Sequence, residues 1–478
     1  MPVRRRGQFA ARARVDGDAD SCALGLCTAR LRPQPGPRLW RTAGTGESTV
    51  GMDTPAKTAE DLIGIVPHTL GYTPASSLVA ILVVTDGDGV QSCGTTMRVD
   101  FDLETAAMTL AEGGEWLRDL VCRACAPSGV FLILYDDDYI PAGAVPERFG
   151  PTRGHGDGVG DRVGFGDGAG GDSVCDDDAD EDWFDEDYAG LHRGLVRAAT
   201  DEMATALGDA GIATLSAWWV SGGRFGRIDD GEDPGTDIAL AQSSACATEL
   251  VSTGSAPAAG PADLVVRPVD AEAAAEYRSG AADPRPSVEE SFGRLGEIYP
   301  TLLEMRAGTE AFDRERLEAL MTPDVVCAFD RLLAAKWSRD ALEMILSFDH
   351  PDFLPKRMCR LAPAELARAA RRAGASRLAA EQMIGLSARA PQPRDILLAI
   401  DLCEAYVHWS GPETLATAYG VIAWFHWSLG GSTLAEQYAF AALDHDPHHS
   451  LAELLVSAIG QGFLPQWLMP EPRGARDL

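Results

Sequence analysis

Polar side chains of the kinds used in acid–base catalysis and ligand binding border three apolar segments of this chain. Three of them precede the apolar run at residues 78–84, two lie where the next segment ends, and one comes directly after the run at residues 129–135. They are His68, Tyr72, Ser77, Arg98, Asp100 and Asp136. Because ligand sites in open α/β sheets gather at strand ends, these residues form the candidate site.

General base catalysis is the chemistry that these residues would support. His68 would be the base and Asp100 would orient its ring, while Tyr72 or Ser77 would anchor a ligand. In the structural alternative, His68 and Ser77 cap turns. Arg98 and Asp100 would then simply pair at a sheet edge. No spacing among these residues is diagnostic of an active site, so we favour the structural interpretation.

Acidic residues recur in patterns that partly match metal sites. The run Asp136–Asp138 could supply oxygen ligands to a divalent cation, but three aspartates after a strand are more typical of a solvated loop. The pattern Asp176-x-Asp178-x-Asp180 copies the first ligands of a calcium loop, yet Glu181 stands where that loop needs glycine. We therefore predict no metal site and no cofactor.

Several motifs of nucleotide-binding proteins and hydrolases are missing from the sequence. There is no G-x-x-x-x-G-K-[ST] loop to cradle phosphates, and no G-x-G-x-x-G follows a strand and opens a helix. Neither G-x-S-x-G nor H-E-x-x-H occurs. These absences disfavour the enzyme classes that the motifs mark.

A helix at residues 58–66 is the first element that would position the candidate residues. Thr58 caps its start, and Glu60 and Asp61 lie in its first turn, where carboxylates complement the helix dipole. We predict that it ends near Pro67 and that turns carry the three candidate residues ahead of the first strand.

Apolar runs and turn residues then predict an α/β domain. The predicted strands are residues 78–84, 90–101, 129–135, 213–220, 224–228 and 264–269, with a tight turn at residues 86–89. The predicted helices between them are residues 103–125, 189–210 and 243–252. This order predicts a mixed sheet with helices packed on it.

From residue 286 onward the apolar period is that of helices, so we predict an all-helical domain. The predicted helices are residues 287–307, 312–320, 323–335, 338–346, 363–372, 376–388, 393–408, 412–429, 432–444 and 448–461. The hairpin at residues 427–447 resembles one tetratricopeptide unit. It is a single unit, so we favour a bundle of helical hairpins over a true solenoid.

Composition divides the chain into four parts. Residues 1–52 are a basic tail, residues 53–140 and 189–270 the α/β domain, residues 141–188 an acidic Gly/Asp-rich insertion, and residues 286–465 the helical domain. The tail lacks the apolar core of an export signal, so we predict disorder or a true start at Met52. The insertion is too polar to offset its ordering entropy, so we predict that it is disordered.

Charge and hydropathy limit the partners. A net charge of −31 repels phosphate backbones, which disfavours nucleic-acid binding. No apolar run approaches the roughly 20 residues that span a bilayer. We therefore predict a cytoplasmic protein that binds neither nucleic acid nor membrane.

Two segments carry a resemblance to a known family. The first is VPHTLGYTPASSLVAILVV, followed after a short turn by TTMRVDF, and the second is IAWFHWSLGGSTLAEQYAFAALDHDPHHSLAELL. Both resemble the actinobacterial domain of unknown function 4192 family, over a span from about Asp61 to Trp467. That family has no assigned activity, so the resemblance implies an approximate architecture and no mechanism.

The sequence departs from the family pattern at one point. Members of the family often carry a cysteine after a strand like ATLSAWWV, but the corresponding stretch here, SGGRFGRIDDGEDPGTD, has none. The resemblance therefore gives no support for thiol or metal chemistry at that point.

Two functional hypotheses follow. We favour a non-enzymatic binding or assembly module, in which the α/β domain is a base and the helical domain binds a protein partner. The alternative is a small-molecule or nucleotide-processing enzyme with its site at the strand ends near His68, Arg98 and Asp100.

Overall fold

The computed structural model of the 478-residue chain describes residues 56–85, 91–124, 126–142, 178–308, 312–347, 354–358, 360–374 and 377–469. The predicted basic tail, the turn at residues 86–89 and most of the acidic insertion lie outside these residues. No helix among the described residues is long and apolar enough to cross a membrane.

Six strands of the described chain form one mixed sheet. They are β1 (Ser77–Thr85), β2 (Gln91–Asp100), β3 (Gly129–Tyr135), β4 (Ala213–Ser221), β5 (Arg224–Arg227) and β6 (Thr236–Asp237). Their order in the sheet is β2-β1-β3-β4-β5-β6. Only β3 and β4 run parallel, because α4 (Asp178–Asp209) crosses over between them.

The helices of the first part of the chain cover both faces of this sheet. They are α1 (Ala59–Leu70), α2 (Leu103–Glu112), α3 (Glu115–Ala124), α4, α5 (Ile238–Gln242) and α6 (Ala245–Ser252). On one face, alternate residues of β1 and β3 pack against α2, α3 and α4. On the other face, the intervening residues pack against α1 and α5. β1 is therefore apolar along its length because both of its faces are buried.

The rest of the described chain is helical. Its helices are α7 (Ala271–Ser279), α8 (Val288–Ala307), α9 (Arg314–Leu320), α10 (Pro323–Leu333), α11 (Lys336–Ser347), α12 (Pro355–Met358), α13 (Pro363–Gly374), α14 (Arg377–Met383), α15 (Pro393–Trp409), α16 (Pro412–Ser428), α17 (Ser432–His445) and α18 (Ser450–Gly460). The prediction of a mixed sheet followed by a helical region is confirmed.

The helical region and the sheet share an apolar core. Leu434 of α17 is buried in the same cluster as Ile63 of α1 and Val79 of β1. This contact places α17 on the face of the sheet that α1 covers. One face of the sheet is consequently covered by α2, α3 and α4, and the other by α1, α5 and α17.

Two helix boundaries differ from the prediction. α1 continues through Pro67 and ends at Gly71, which adopts a left-handed backbone at φ 83°. The predicted helix at residues 103–125 is two helices, because Gly113 has φ +94° and a Cβ on Gly114 would lie 2.5 Å from the backbone of Met203 in α4. Glycine is required at both positions, so the predicted helix is interrupted there.

Two other segments also differ. α4 begins at Asp178, within the stretch predicted as part of the disordered insertion. Its first residues are mostly acidic, and carboxylates stabilise a helix N-terminus.

The predicted strand at residues 264–269 is wrong, because the backbone of this linking segment bonds to helix side chains. Val266 accepts from the Tyr419 hydroxyl, and its own N–H donates to the Tyr438 hydroxyl.

Candidate functional site

Three of the strand-end candidates, Ser77, Asp100 and Asp136, lie at the same end of the sheet. Ser77, the first residue of β1, lies across from Asp100 of β2 and from Tyr135 of β3. Asp136 follows Tyr135, and its N–H donates to the Val220 oxygen of β4 at 3.1 Å. The side chains nevertheless divide between the two faces of the sheet.

Tyr72, Ser77, Arg98 and Asp100 face α17 and bond to one another or to that helix. Arg98 donates from Nε to the Ser77 hydroxyl at 2.8 Å and pairs with Asp100 at 2.5 Å. The Arg98–Asp100 pairing that the structural alternative predicted is therefore confirmed. The buried Tyr72 shares a hydrogen bond with Thr433 of α17, and burial raises its pKa.

Glu436 adds a third charge to this α17-facing cluster. It lies on α17, and burial together with the nearby Asp100 carboxylate raises its pKa. The cluster thus joins the sheet to the helical region by polar contacts beside the apolar contact of Leu434. Arg98 and Asp100 pair with each other, and such internal pairing is typical of a structural interface.

His68 lies elsewhere in the fold. It belongs to the last turn of α1, not to a turn ahead of β1, and it is 6% exposed. Its Nδ1 lies 2.8 Å from the Ser255 hydroxyl. Burial lowers its pKa, so the ring is neutral at pH 7. Asp100, proposed to orient His68, instead pairs with Arg98.

Asp136 has a partner that the sequence did not suggest. Its Oδ2 lies 2.8 Å from Nε2 of His192 in α4, and the His192 side chain is 1% exposed. The other ring nitrogen, Nδ1, is buried and has no hydrogen-bond partner among the described residues. Tyr139 and Tyr188 contact the imidazole edge-on, with ring centroids 6.0 and 6.1 Å away.

A cavity of about 70 Å³ lies in the helical region, next to the linking segment. Its wall is formed by the linking segment and by α9, α15, α16 and α17. The lining residues are Leu264, Val266, Arg314, Leu397, Ile400, Asp401, Glu404, His426, Leu434 and Tyr438. Half of them are aliphatic and half carry polar groups. We refer to this space as the linker cavity.

Tyr438 organises the polar side of the linker cavity. Its hydroxyl donates to Oε1 of Glu404 at 2.9 Å and accepts the N–H of Val266 at 3.3 Å. Its ring stacks on His426, with 5.4 Å between centroids and 17° between planes. Burial lowers the pKa of His426 to about 3. The cavity therefore has a fixed carboxylate and an uncharged imidazole at pH 7.

The polar residues of this cavity were not among the candidates from the sequence. Asp401 and Glu404 stand in the apolar stretch ILLAIDLCEAYV of α15, and His426 stands in YGVIAWFHW of α16. Ionisable residues inside such apolar helices are costly unless they have a role or a partner. The presence of ionisable residues in apolar helices could therefore have identified Asp401, Glu404 and His426 as candidates.

Neither part of the described chain offers an evident metal site. No group of three or more histidine, cysteine, aspartate or glutamate side chains within the described ranges is arranged to hold a metal ion. The predicted loop character of residues 136–138 fits the hydrogen bond from the Asp138 N–H to Oδ1 of Asp136 at 3.0 Å. The calcium-like pattern begins at Asp176, which lies outside the described residues.

Comparison with known proteins gives one match. No curated protein and no solved structure matches the chain. The family model described as "Domain of unknown function (DUF4192)" matches residues 60–466, close to the span over which the two sequence segments suggested a resemblance. Because this match covers most of the chain, the protein belongs to the family of domains of unknown function DUF4192.

Proposed function

We propose that the protein is a non-enzymatic binding module that holds a small organic molecule in the linker cavity. The observation that carries this proposal is the lining of that cavity, in which five aliphatic residues lie beside five residues with polar groups. Ligand sites in proteins generally combine an apolar wall with a small number of oriented polar side chains.

The size of the cavity limits the ligand. A single water needs about 10–15 Å³ of such space, so 70 Å³ accommodates on the order of five water molecules. This volume is suited to a molecule with a similar number of non-hydrogen atoms, and not to a nucleotide. It also favours a small molecule over the protein partner expected from the sequence.

The position of the cavity suggests what binding would do. Its wall includes Leu264 and Val266 of the linking segment and Leu434, which also packs on the sheet. We propose that an occupied cavity stabilises the contact between the sheet and the helices. The tetratricopeptide-like hairpin would supply His426 and Tyr438 to the wall and Leu434 to the sheet, and the protein would act in the cytoplasm.

A thermal-shift panel tests the proposal. Wild-type protein is heated with small amines, alcohols, amides and carboxylic acids, and at least one class is expected to raise the Tm. Leu397→Phe and, independently, Leu264→Phe fill the cavity and should abolish the shift. Leu454→Phe is the matched control, because Leu454 is 68% exposed on α18. The proposal fails if no class raises the Tm, or if the filled variants respond like the wild type.

The Asp136–His192 pair supports a second candidate function. In general base catalysis a carboxylate commonly holds one nitrogen of a histidine while the other nitrogen acts on the substrate, and Nδ1 of His192 has no hydrogen-bond partner among the described residues. In this alternative the protein is an enzyme acting on a small molecule at the carboxyl ends of β3 and β4. His192→Gln would then abolish a thermal shift that the cavity-filling variants leave intact. A shift lost only in the cavity-filling variants would count against it.

A further inference from the structure

We infer that the surface formed by α12, α13 and α14 binds an acidic segment of a partner protein, namely a short stretch of aspartate or glutamate with interspersed aliphatic residues. We refer to this surface, residues 355–383, as the basic surface. It contributes no residue to the lining of the linker cavity. The inference is therefore independent of the ligand proposed for that cavity.

The basic surface has a charge opposite to that of the rest of the chain. Residues 355–383 contain seven basic and two acidic residues, a net charge of +5, whereas the whole chain has a net charge of −31. The basic residues are Lys356, Arg357, Arg360, Arg368, Arg371, Arg372 and Arg377, and the acidic ones are Glu365 and Glu381. Positive charge concentrated in one short part of so acidic a protein favours an anionic partner there.

The three helices pack through small apolar faces and leave their arginines at the surface. Met358, Leu366 and Ala379 are the buried apolar residues of α12, α13 and α14, and each is at most 1% exposed. Through this packing α13 lies against α11, and α12 against α8. The exposed arginines of the basic surface are Arg357, Arg360, Arg368, Arg372 and Arg377.

The arrangement of these arginines suits carboxylate binding. Arg368 and Arg372 are four positions apart, so they are neighbours on one face of α13. Nε of Arg368 donates to the Ala364 oxygen of its own helix, so the terminal nitrogens extend beyond this bond into solvent. A guanidinium group is a planar fork of donors that pairs with a carboxylate through two parallel hydrogen bonds.

The ion pair within the basic surface would not prevent such binding. Nε of Arg377 donates to Oε1 of Glu381 at 2.6 Å, but the Arg377 side chain is 91% exposed. Exposed ion pairs of this kind contribute only about 0–1 kcal/mol, so a partner carboxylate can replace Glu381 at little cost.

The extent and composition of the basic surface favour a protein segment over a nucleic acid. The twelve residues of α13 are about 18 Å long, whereas duplex DNA carries a charge about every 1.7 Å and would extend over the acidic remainder of the protein. Residues 354–384 contain no phenylalanine, tryptophan or tyrosine on which single-stranded bases could stack.

A short acidic segment avoids both problems. At physiological ionic strength the Debye length is about 8 Å, so such a segment responds to the basic surface and not to distant carboxylates. Leu378 of α14 and Ile384, which follows that helix, are 41% and 54% exposed. They provide apolar contacts for aliphatic side chains placed among the acidic residues of the partner.

Fluorescence anisotropy with a labelled peptide of repeated Glu-Glu-Leu tests the inference on the full-length protein. We expect this peptide to bind, a Gln-Gln-Leu peptide of the same length to bind at least tenfold more weakly, and added salt to weaken binding. Combined Arg368→Glu and Arg372→Glu should weaken binding at least tenfold. Arg123→Glu is the matched control, because Arg123 of α3 is also exposed and its Nε also donates to the carbonyl oxygen four residues earlier.

Each outcome of this experiment supports or overturns the inference. Loss of Glu-Glu-Leu binding in the double variant but not in Arg123→Glu supports it. Absence of binding to the wild type, or an equal loss in Arg123→Glu, overturns it. Tighter binding of an oligothymidylate through the same arginines also overturns it, in favour of a nucleic acid. Combined Arg368→Gln and Arg372→Gln should give a smaller loss, and it replaces the charge reversal if circular dichroism shows that the reversed variant is misfolded.

Discussion

The sheet edge and the linker cavity hold the same kinds of side chains but use them differently. At the sheet edge, Arg98 bonds to Ser77 and Asp100, and Asp136 bonds to His192. In the helical region, carboxylates and a neutral histidine border a partly open cavity. Residue type and strand-end position therefore identified a region in which most of the candidate side chains bond to one another, whereas the cavity lies between helices.

The two regions also differ in where their charges are buried. The α17-facing cluster keeps Asp100 with 75% of its side chain exposed. The helical region instead contains Glu343, which is fully buried on α11 with its nearest guanidinium nitrogen, Nε of Arg339, 3.8 Å away. A buried carboxyl group in this region should make its stability depend strongly on pH.

The largest expected effect is on the pH dependence of the free energy of unfolding, and it comes from Glu343. Burial raises the pKa of its carboxyl from 4.5 to about 8, with partial opposition from Arg339. The folded state thus keeps a proton that the unfolded state loses. This contribution to the free energy of unfolding is complete below pH 4.5 and is lost as pH rises to about 8. At about 1.4 kcal/mol per pH unit, the loss is on the order of several kcal/mol.

Urea denaturation of the wild type and Glu343→Gln at pH 5 and pH 8 measures this loss. The glutamine side chain cannot ionise, so the difference in stability between the two proteins should shift in favour of the variant at the higher pH. Parallel pH profiles would show that Glu343 ionises as readily in the folded state as in the unfolded state.

The next largest effect concerns Asp136. Asp136→Ala would leave Nε2 of His192 buried without its partner, which costs about 1–3 kcal/mol. Thermal denaturation at pH 7 measures this cost. If Asp136→Ala is as stable as the wild type, the Asp136–His192 pair does not contribute to folding, and the catalytic alternative for these residues gains support.

A smaller effect is expected for Tyr438→Phe. Removing the hydroxyl takes away the donor to Glu404 and the acceptor of the Val266 N–H, which should cost about 1 kcal/mol. Because Glu404 loses the hydrogen bond from Tyr438, the panel compound that stabilises the wild type should raise the Tm of this variant less. Tyr419→Phe is a useful comparison, since Tyr419 bonds to the Val266 oxygen but does not line the cavity. Equal ligand-induced Tm shifts in the two variants would argue against a role for the orientation of Glu404 in binding.

The smallest effect is expected for Asp100→Ala. Its carboxylate is mostly exposed, and exposed ion pairs contribute from about 0 to 1 kcal/mol. Arg98 keeps its hydrogen bond to Ser77, so the change in unfolding free energy should stay below about 0.5 kcal/mol. A larger loss, measured in the same denaturation series as Asp136→Ala, would mean that the α17-facing cluster holds the two regions together.

The sequence predicted those elements whose pattern is local. β1 and β3 are continuous apolar runs, and α15 to α17 follow the helical period closely, so their bounds are within one or two residues of the prediction. The linking segment was misread because its apolar residues look like a strand, while its partners are tyrosines about 150 to 170 positions away.

The candidate site was predictable only in part, for the same reason. Register brings Ser77, Asp100 and Asp136 to one edge, which follows from strand ends alone. His192 lies 56 positions from Asp136, beyond the insertion, so no local pattern joins them. The linker cavity depends on how helices far apart in the chain pack, and sequence periodicity does not specify the space left between them.

The most direct test of the binding proposal is a methyl NMR titration with the compound of the thermal-shift panel that raises the Tm most. The aliphatic wall consists of Leu264, Val266, Leu397, Ile400 and Leu434, whose methyl groups report on the cavity individually. We expect saturable shift changes at these methyls, and none at Leu134 and Val220 near the strand ends. Unchanged cavity methyls, or changes confined to the strand ends, would contradict the assignment of the linker cavity as the binding site.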